Sequence, residues 1–475
     1  MSDPTTPSRR LLPRRDDLRA MVRLALPVVV IQVGMMAMGV VDTLMVGRLS
    51  ASALAAVALG NLYFFLIAVF GMGTLMVLDP VVAQAVGARD REGAARGMQR
   101  GVLLAAVLAL PAAILLLLAE PFMLHAGQPA EVAPLAADYA ERLAPGVFPF
   151  FLFVVLRQTL QSMRVTRPLV VAIVLANLAN AGVNWVLIFG HLGAPALGVA
   201  GSAWATTISR WLLAGILLAM AWRALAPLLF PIRREVWQTV PLARMLRLGL
   251  PIGAQVFLEF GAFALVALMM GWLGTPSMAG HQVAINLASL TFMVPLGVGD
   301  AASVLVGQGV GRGDPVATRG AARAALLCGV GFMMGTAVLF LTAPVGLARL
   351  YTPDPDVIRV AAVLIPLAGI FQVFDGTQTV ATGILRGLGE TRVAMLVNLL
   401  GYWCIGLPVS YLFGIHLGRG PVALWWGLVL GLGVVATVLL IRVRMALARE
   451  QRRVVIDDPA TLRPPLKQTA EAQAD

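Results

Sequence analysis

Long apolar runs, each ended by a short gap rich in arginine, glycine and proline, dominate this chain. A run of roughly 20 apolar residues is long enough to cross a hydrocarbon core as a helix. Such runs fall near 24–46, 53–77, 98–119, 134–156, 169–190 and 196–220, then near 245–270, 278–303, 323–347, 357–385, 393–415 and 421–444. The pattern predicts an all-α polytopic membrane protein of about twelve transmembrane helices. Between the two sets lies 223–247, holding Pro227, Pro231 and Pro241 with Arg223, Arg233, Arg234, Arg244 and Arg247. It is expected to be a cytoplasmic linker between two six-helix bundles, 24–222 and 248–445, with tails at 1–23 and 446–475.

The two sets repeat each other. Arg23-Leu-Ala-Leu-Pro27 recurs as Arg247-Leu-Gly-Leu-Pro251, and Gln84-Ala-Val-Gly87 with Asp90 recurs at the same offset as Gln308-Gly-Val-Gly311 with Asp314. Six spans per copy put both copies the same way up, related by a pseudo-two-fold along the membrane normal, an arrangement that suits alternating access. Arginines crowd alternate gaps: Arg89, Arg91, Arg96 and Arg100; Arg157, Arg164 and Arg167; the linker; Arg312, Arg319 and Arg323; Arg386 and Arg392. By the positive-inside rule both termini are expected in the cytoplasm.

Composition then removes several classes of function. Of 475 residues, 59% are hydrophobic and 13% charged, which excludes an ordinary water-soluble domain. The net charge of +12 is spread through the gaps, not gathered on one nucleic-acid-binding face. Cys328 and Cys404 lie in apolar runs, and His125, His191, His281 and His416 stand singly, so no zinc cluster or disulfide framework is written here. No phosphate-binding GxxxxGK[ST] pattern occurs, and the gaps are too short for an extramembrane catalytic domain. An enzyme is not expected.

What stands out is acid at membrane depth. An ionised carboxylate mid-span costs about 2.5–3.5 kcal/mol and is expected to face protein, water or a cation. Glu259 lies mid-span, with Gln255 one turn before it; Asp375 lies in Phe371-Gln-Val-Phe-Asp-Gly-Thr-Gln-Thr379, where Phe371, Asp375, Thr379 and Thr382 share a face. Gln282 and Asn286 stand at i, i+4 on the following span. In the first set, Asp42 joins a face with Met35, Met38 and Met45, while Asn177, Asn180 and Asn184 share a face and Thr206 adds a hydroxyl. These acids, amides and hydroxyls are candidates for binding a coupling cation, either a proton or sodium held by Glu259 and Asp375 or by Asp42, Asn180 and Asn184. The methionines offer an adaptable lining or plain packing. Asp79 and Asp300 are candidates for helix capping or a gate, and Arg210 for a bond to a carbonyl or acid inside its bundle.

Val41-Asp-Thr43, Asn180 with Asn184-Trp185, Glu259, His281-Gln-Val-Ala-Ile-Asn286, and Asp375 followed by Gly383-Ile-Leu-Arg-Gly-Leu-Gly389 resemble the multidrug and toxic compound extrusion (MATE) family, and the pair Glu259 plus Asp375 resembles its NorM-like branch. The resemblance covers about 20–445. It implies a V-shaped pair of bundles and a sodium- or proton-coupled antiporter. Such a protein exports cationic, amphipathic small molecules as a monomer in the bacterial inner membrane, without a cofactor. Carried over, Glu259 and Asp375 are the coupling acids of the second bundle, and Asp42, Asn180, Asn184 and Thr206 form the site of the first. Relatives can carry a tyrosine where this chain has Phe371 and an acid where it has Asn184. A flippase for lipid-linked saccharides is the alternative within the same architecture, and its cavity would need cations for phosphates.

Overall fold

The computed structural model describes residues 13–125, 127–128 and 131–458. Among them are twelve helices long and apolar enough to cross a membrane. Span 1 is Arg15–Val46, span 2 Ala51–Gly87, span 3 Arg91–Leu117, span 4 Ala133–Ser162, span 5 Arg167–Phe189 and span 6 Val199–Met220. Span 7 is Thr239–Trp272, span 8 Thr275–Gly311, span 9 Pro315–Thr342, span 10 Pro355–Gly387, span 11 Thr391–His416 and span 12 Gly420–Ala448.

Several helices run past the apolar stretches that announce them. Span 1 begins inside the expected N-terminal tail, and span 7 begins inside the expected linker, whose remainder forms the short helices Trp222–Leu229 and Arg234–Trp237. The physical reason is that polar end turns stay helical where arginine stems lie along apolar surface and carry their heads outward. Residues 1–12 and 459–475 of the two tails lie outside the described residues.

The repeated polar motif has a local cause. Asp90 caps span 3 by accepting from the Gly93 N–H at 2.8 Å, and Asp314 caps span 9 by accepting from Val316 and Ala317. The turns before these caps place Arg89 and Gly313, equivalent positions, at φ 58° and 66°. Partial burial raises the Asp90 carboxyl, but the Gly93 N–H and the Arg453 guanidinium outweigh it and hold the group below the usual carboxylate range.

The motif also joins the two sets. Gln84 Nε2 donates to the Gly387 carbonyl that ends span 10 (2.9 Å), and Gln308 Nε2 donates to the Ser162 carbonyl that ends span 4 (2.8 Å). Gly87 lies against Gln308 and Gly311 against Gln84, so each copy of the motif grips the other. Higher up, a Cβ on Gly73 would stand 2.9 Å from the Gly253 Cα, and one on Gly297 would strike Val29. Small residues permit this approach where lipid gives helices no hydrophobic reason to associate. These close approaches all lie in the half of the molecule where span 1 begins and span 12 ends. Gly87→Leu is expected to force the crossing apart at a cost of about 1–3 kcal/mol, read as a lower unfolding temperature in detergent.

Candidate functional site

In the second set, Glu259 and Asp375 are electrostatic neighbours inside the bundle. Gln378 Nε2 donates to Glu259 Oε2 at 3.1 Å, and the Tyr402 hydroxyl donates to Gln378 Oε1 at 3.1 Å. Asp375 is buried, and its Oδ1 has no hydrogen-bond partner among the described residues. One turn below Glu259, Gln255 reaches Thr382 at 3.5 Å. Two carboxyl groups therefore lie near each other, Glu259 held by the Gln378 amide and Asp375 with an unpartnered oxygen, and among the described residues neither forms an ion pair.

Not every sequence candidate joins this group. Phe371 is buried, edge-on to Phe263 and Trp425 with ring centroids 5.8 and 5.7 Å away, so it packs the core behind Asp375. Gln282 is exposed and bonds to Asn286 at 3.2 Å; it lines a groove with Gly274, Thr275 and Met278 near the opposite end of span 8. Thr379 lies with its backbone against Gly299 on span 8. Gln378 and Tyr402 were not singled out from sequence. Gln378 lay in the quoted span 10 motif, one turn beyond Asp375, and the helical period alone places it near that acid. Tyr402 comes from a π-helical turn, Leu399–Gly406, whose facing an α period does not give.

The first set assembles as expected. Asp42 Oδ1 accepts from Asn184 Nδ2 at 2.6 Å and Oδ2 accepts from Thr206 Oγ1 at 2.9 Å, all three buried. Asn180 lies alongside Asp42 without a well-formed hydrogen bond, and its amide atoms and Asn184 Oδ1 are buried without partners among the described residues. These are hard oxygens next to a carboxylate, the donor types that a proton or sodium uses. Buried Tyr139, which sequence reasoning missed, borders the same group and donates to Asn61 at 3.3 Å. Asn177 bonds instead to the Gly34 and Ile173 carbonyls at 3.0 and 2.8 Å, as interhelical glue. Met35, Met38 and Met45 pack against the first-set core. Arg210 meets the expectation only in part: it is an electrostatic neighbour of Asp42, but its guanidinium lies over the Phe64 ring, 3.8 Å from the centroid, with Nη1 unpartnered among the described residues. The ring face takes the charge because two phenylalanines, Phe64 and Phe150, wall it in.

A third cluster links the two sets. Arg386 of span 10 pairs with Asp79 of span 2 at 3.1 Å and with Asp300 of span 8 at 2.9 Å. Gln32 of span 1 donates to Asp300 at 3.4 Å and accepts from Arg157 of span 4 at 3.0 Å. Asp79 and Asp300 are each 1% exposed. Capping beside Pro80 is thus not what holds Asp79. The cluster ties spans 8 and 10 of the second set to spans 1, 2 and 4 of the first.

A family model described as MatE matches the chain twice, over residues 27–186 and 251–412. The chain is 37% identical over 431 residues to a probable multidrug resistance protein NorM of Rhizobium meliloti, covering 89% of this chain and 92% of the relative. It is 37% identical over 466 residues to the multidrug resistance protein PmpM of Pseudomonas aeruginosa, covering 96% of each. The crystal structure of the eukaryotic MATE transporter AtDTX14 superposes with a TM-score of 0.83 at 22% identity, over 91% of this chain and 99% of that one. A multidrug resistance MATE family transporter in an outward-facing conformation gives 0.82 at 21% identity, over 94% and 99%. The repeated match, the twelve spans and the close relatives together make this chain a multi-pass membrane protein of the MATE transporter family, NorM-like.

Proposed function

We propose that this protein is a cation-coupled antiporter that exports organic cations and other amphipathic toxic compounds by alternating access. Both termini then lie in the cytoplasm of a bacterial cell, and the bundles 24–222 and 248–445 rock about the crossing as a monomer. The observation that carries the reading is the pair Glu259 and Asp375. Two carboxylates share a site inside the bundle whose named partners are the Gln378 amide and, through it, the Tyr402 hydroxyl. Uncompensated charge at that depth is costly, so the pair favours a bound proton or sodium ion, and release of that cation on the other side favours taking up another. Asp42 with Asn180, Asn184 and Thr206 supplies a second cation site in the first bundle. Acidic sites suit cationic cargo. The flippase alternative is less well supported, because the buried arginines are engaged: Arg100 by Asp457, Arg386 by Asp79 and Asp300, Arg157 by Gln32, and Arg210 by Phe64.

Reconstituted protein is expected to drive a permanently charged cationic dye uphill under an imposed pH gradient or an imposed sodium gradient, each applied alone. The gradient that works identifies the coupling ion. Dye movement under neither gradient, with the protein correctly inserted, defeats the proposal.

A further inference from the structure

Just beyond span 12, the described residues stay on the protein. Residues 453–457 return from the last six spans and lie across the termini-bearing end of the first six. Arg453 Nη2 pairs with Asp90 Oδ2 at 2.5 Å. The Val454 N–H donates to Gln84 Oε1 at 2.7 Å, and Ile456 is buried in the first-set core. Asp457 bridges two arginines of span 3, Arg96 at 2.8 Å and Arg100 at 2.6 Å, and Arg100 is itself 1% exposed. From span 7, Arg244 Nη1 donates to the Ile456 carbonyl at 3.0 Å.

We propose that residues 453–457 are a built-in latch that holds the termini-bearing end of the transporter closed. The segment belongs covalently to the last six spans yet is seated on the first six, so it spans the line along which the two sets must part. Gln84 couples it to the crossing, because one amide serves both: its Nε2 donates to the Gly387 carbonyl of span 10 while its Oε1 accepts from Val454. Parting the sets breaks the Gly387 bond and frees the side chain that seats the strap. Conversely, a docked strap holds the Gln84 amide in the orientation that bonds to span 10. A glutamine amide offers its carbonyl and its NH2 on opposite sides, so the two contacts favour the same rotamer. Asp457 adds a fork of two guanidiniums that is part-exposed and therefore open to screening by salt.

The rocking assumed in the proposed function makes the latch useful, but the test separates the two. Spin labels at Arg91→Cys and Val316→Cys, in an otherwise cysteine-free protein in nanodiscs, report the distance between spans 3 and 9 at this end. Removing all three ion pairs with Arg453→Ala and Asp457→Ala is expected to raise the population at long distance about threefold to tenfold, and high salt to do the same more weakly. An unchanged distance distribution in the double variant overturns the latch. In a second variant, Arg96→Cys and Asp457→Cys joined by a short bifunctional thiol reagent should stop dye efflux. Cleaving the link should restore it. Undiminished efflux from the linked protein overturns the latch even if the alanine variant fails to fold. If the uncrosslinked protein moves dye under neither gradient while the distances respond as stated, the antiport reading fails and the latch stands.

Discussion

Glu259→Gln and Asp375→Asn are each expected to bring ion-driven dye efflux in vesicles down to the leak rate while leaving the protein inserted and folded. The amides keep the shape and much of the hydrogen bonding. In Glu259→Gln the new side-chain carbonyl would still accept from Gln378, whose own carbonyl still accepts from Tyr402. What is removed is the negative charge that a proton or sodium ion neutralises. Because an ionised carboxylate at this depth costs about 2.5–3.5 kcal/mol, neutralising one is expected to leave the unfolding temperature in detergent unchanged or higher. Activity and stability should therefore move in different directions, which a merely structural carboxyl would not give. Wild-type efflux from the double variant defeats the second-bundle site. Asp42→Asn then decides whether the first-bundle carboxylate carries coupling alone: its two oxygens receive Asn184 and Thr206, and the amide keeps only one acceptor for those two donors.

The spans, the repeat and the acids were legible because each leaves a mark within one stretch of chain. A run of apolar residues gives a helix its length, a fixed offset reveals duplication, and a carboxylate among hydrocarbon stands out at any position. Asn184 of span 5 and the hydroxyl of Thr206 meet Asp42, the grouping that the family resemblance implied, while Asn177 turns to backbone carbonyls instead. Contacts between distant stretches left no such mark. Arg100, Arg157 and Arg386 served as loop arginines in the orientation argument, yet they are 1%, 3% and 7% exposed. Arg100 lies inside the apolar run 98–119, and Arg157 and Arg386 lie just past the ends of theirs, so all three side chains sit on the helices themselves and not in the gaps between them. Arg386 and Asp79 are 307 positions apart in the chain, and only the crossing of spans 2, 8 and 10 brings them together. Tyr402 was hidden for a different reason: a π-helical turn rotates the residues after it off the α period.

Arg386→Met should be the most destabilising single change in the molecule. The guanidinium lies between Asp79 and Asp300, each 1% exposed, and removing it leaves two like charges buried side by side. Breaking a buried pair in this way costs about 3–5 kcal/mol, because the abandoned charge keeps its desolvation penalty and loses its attraction. Arg157 does not replace it, since its Nη1 is given to Gln32. The expected result is a large drop in unfolding temperature in detergent and loss of the closed termini-bearing end in the span 3 to span 9 distance. Adding Asp79→Asn and Asp300→Asn to Arg386→Met removes the stranded charges and should recover most of the thermal stability. The closed end should not recover with it, because the ionic tie from span 10 to span 2 is then gone. A cluster that served only to hold the fold would regain both together. The separation of stability from closure in the triple variant therefore distinguishes a gate from a structural ion pair, and recovery of both would assign Arg386 to the fold alone.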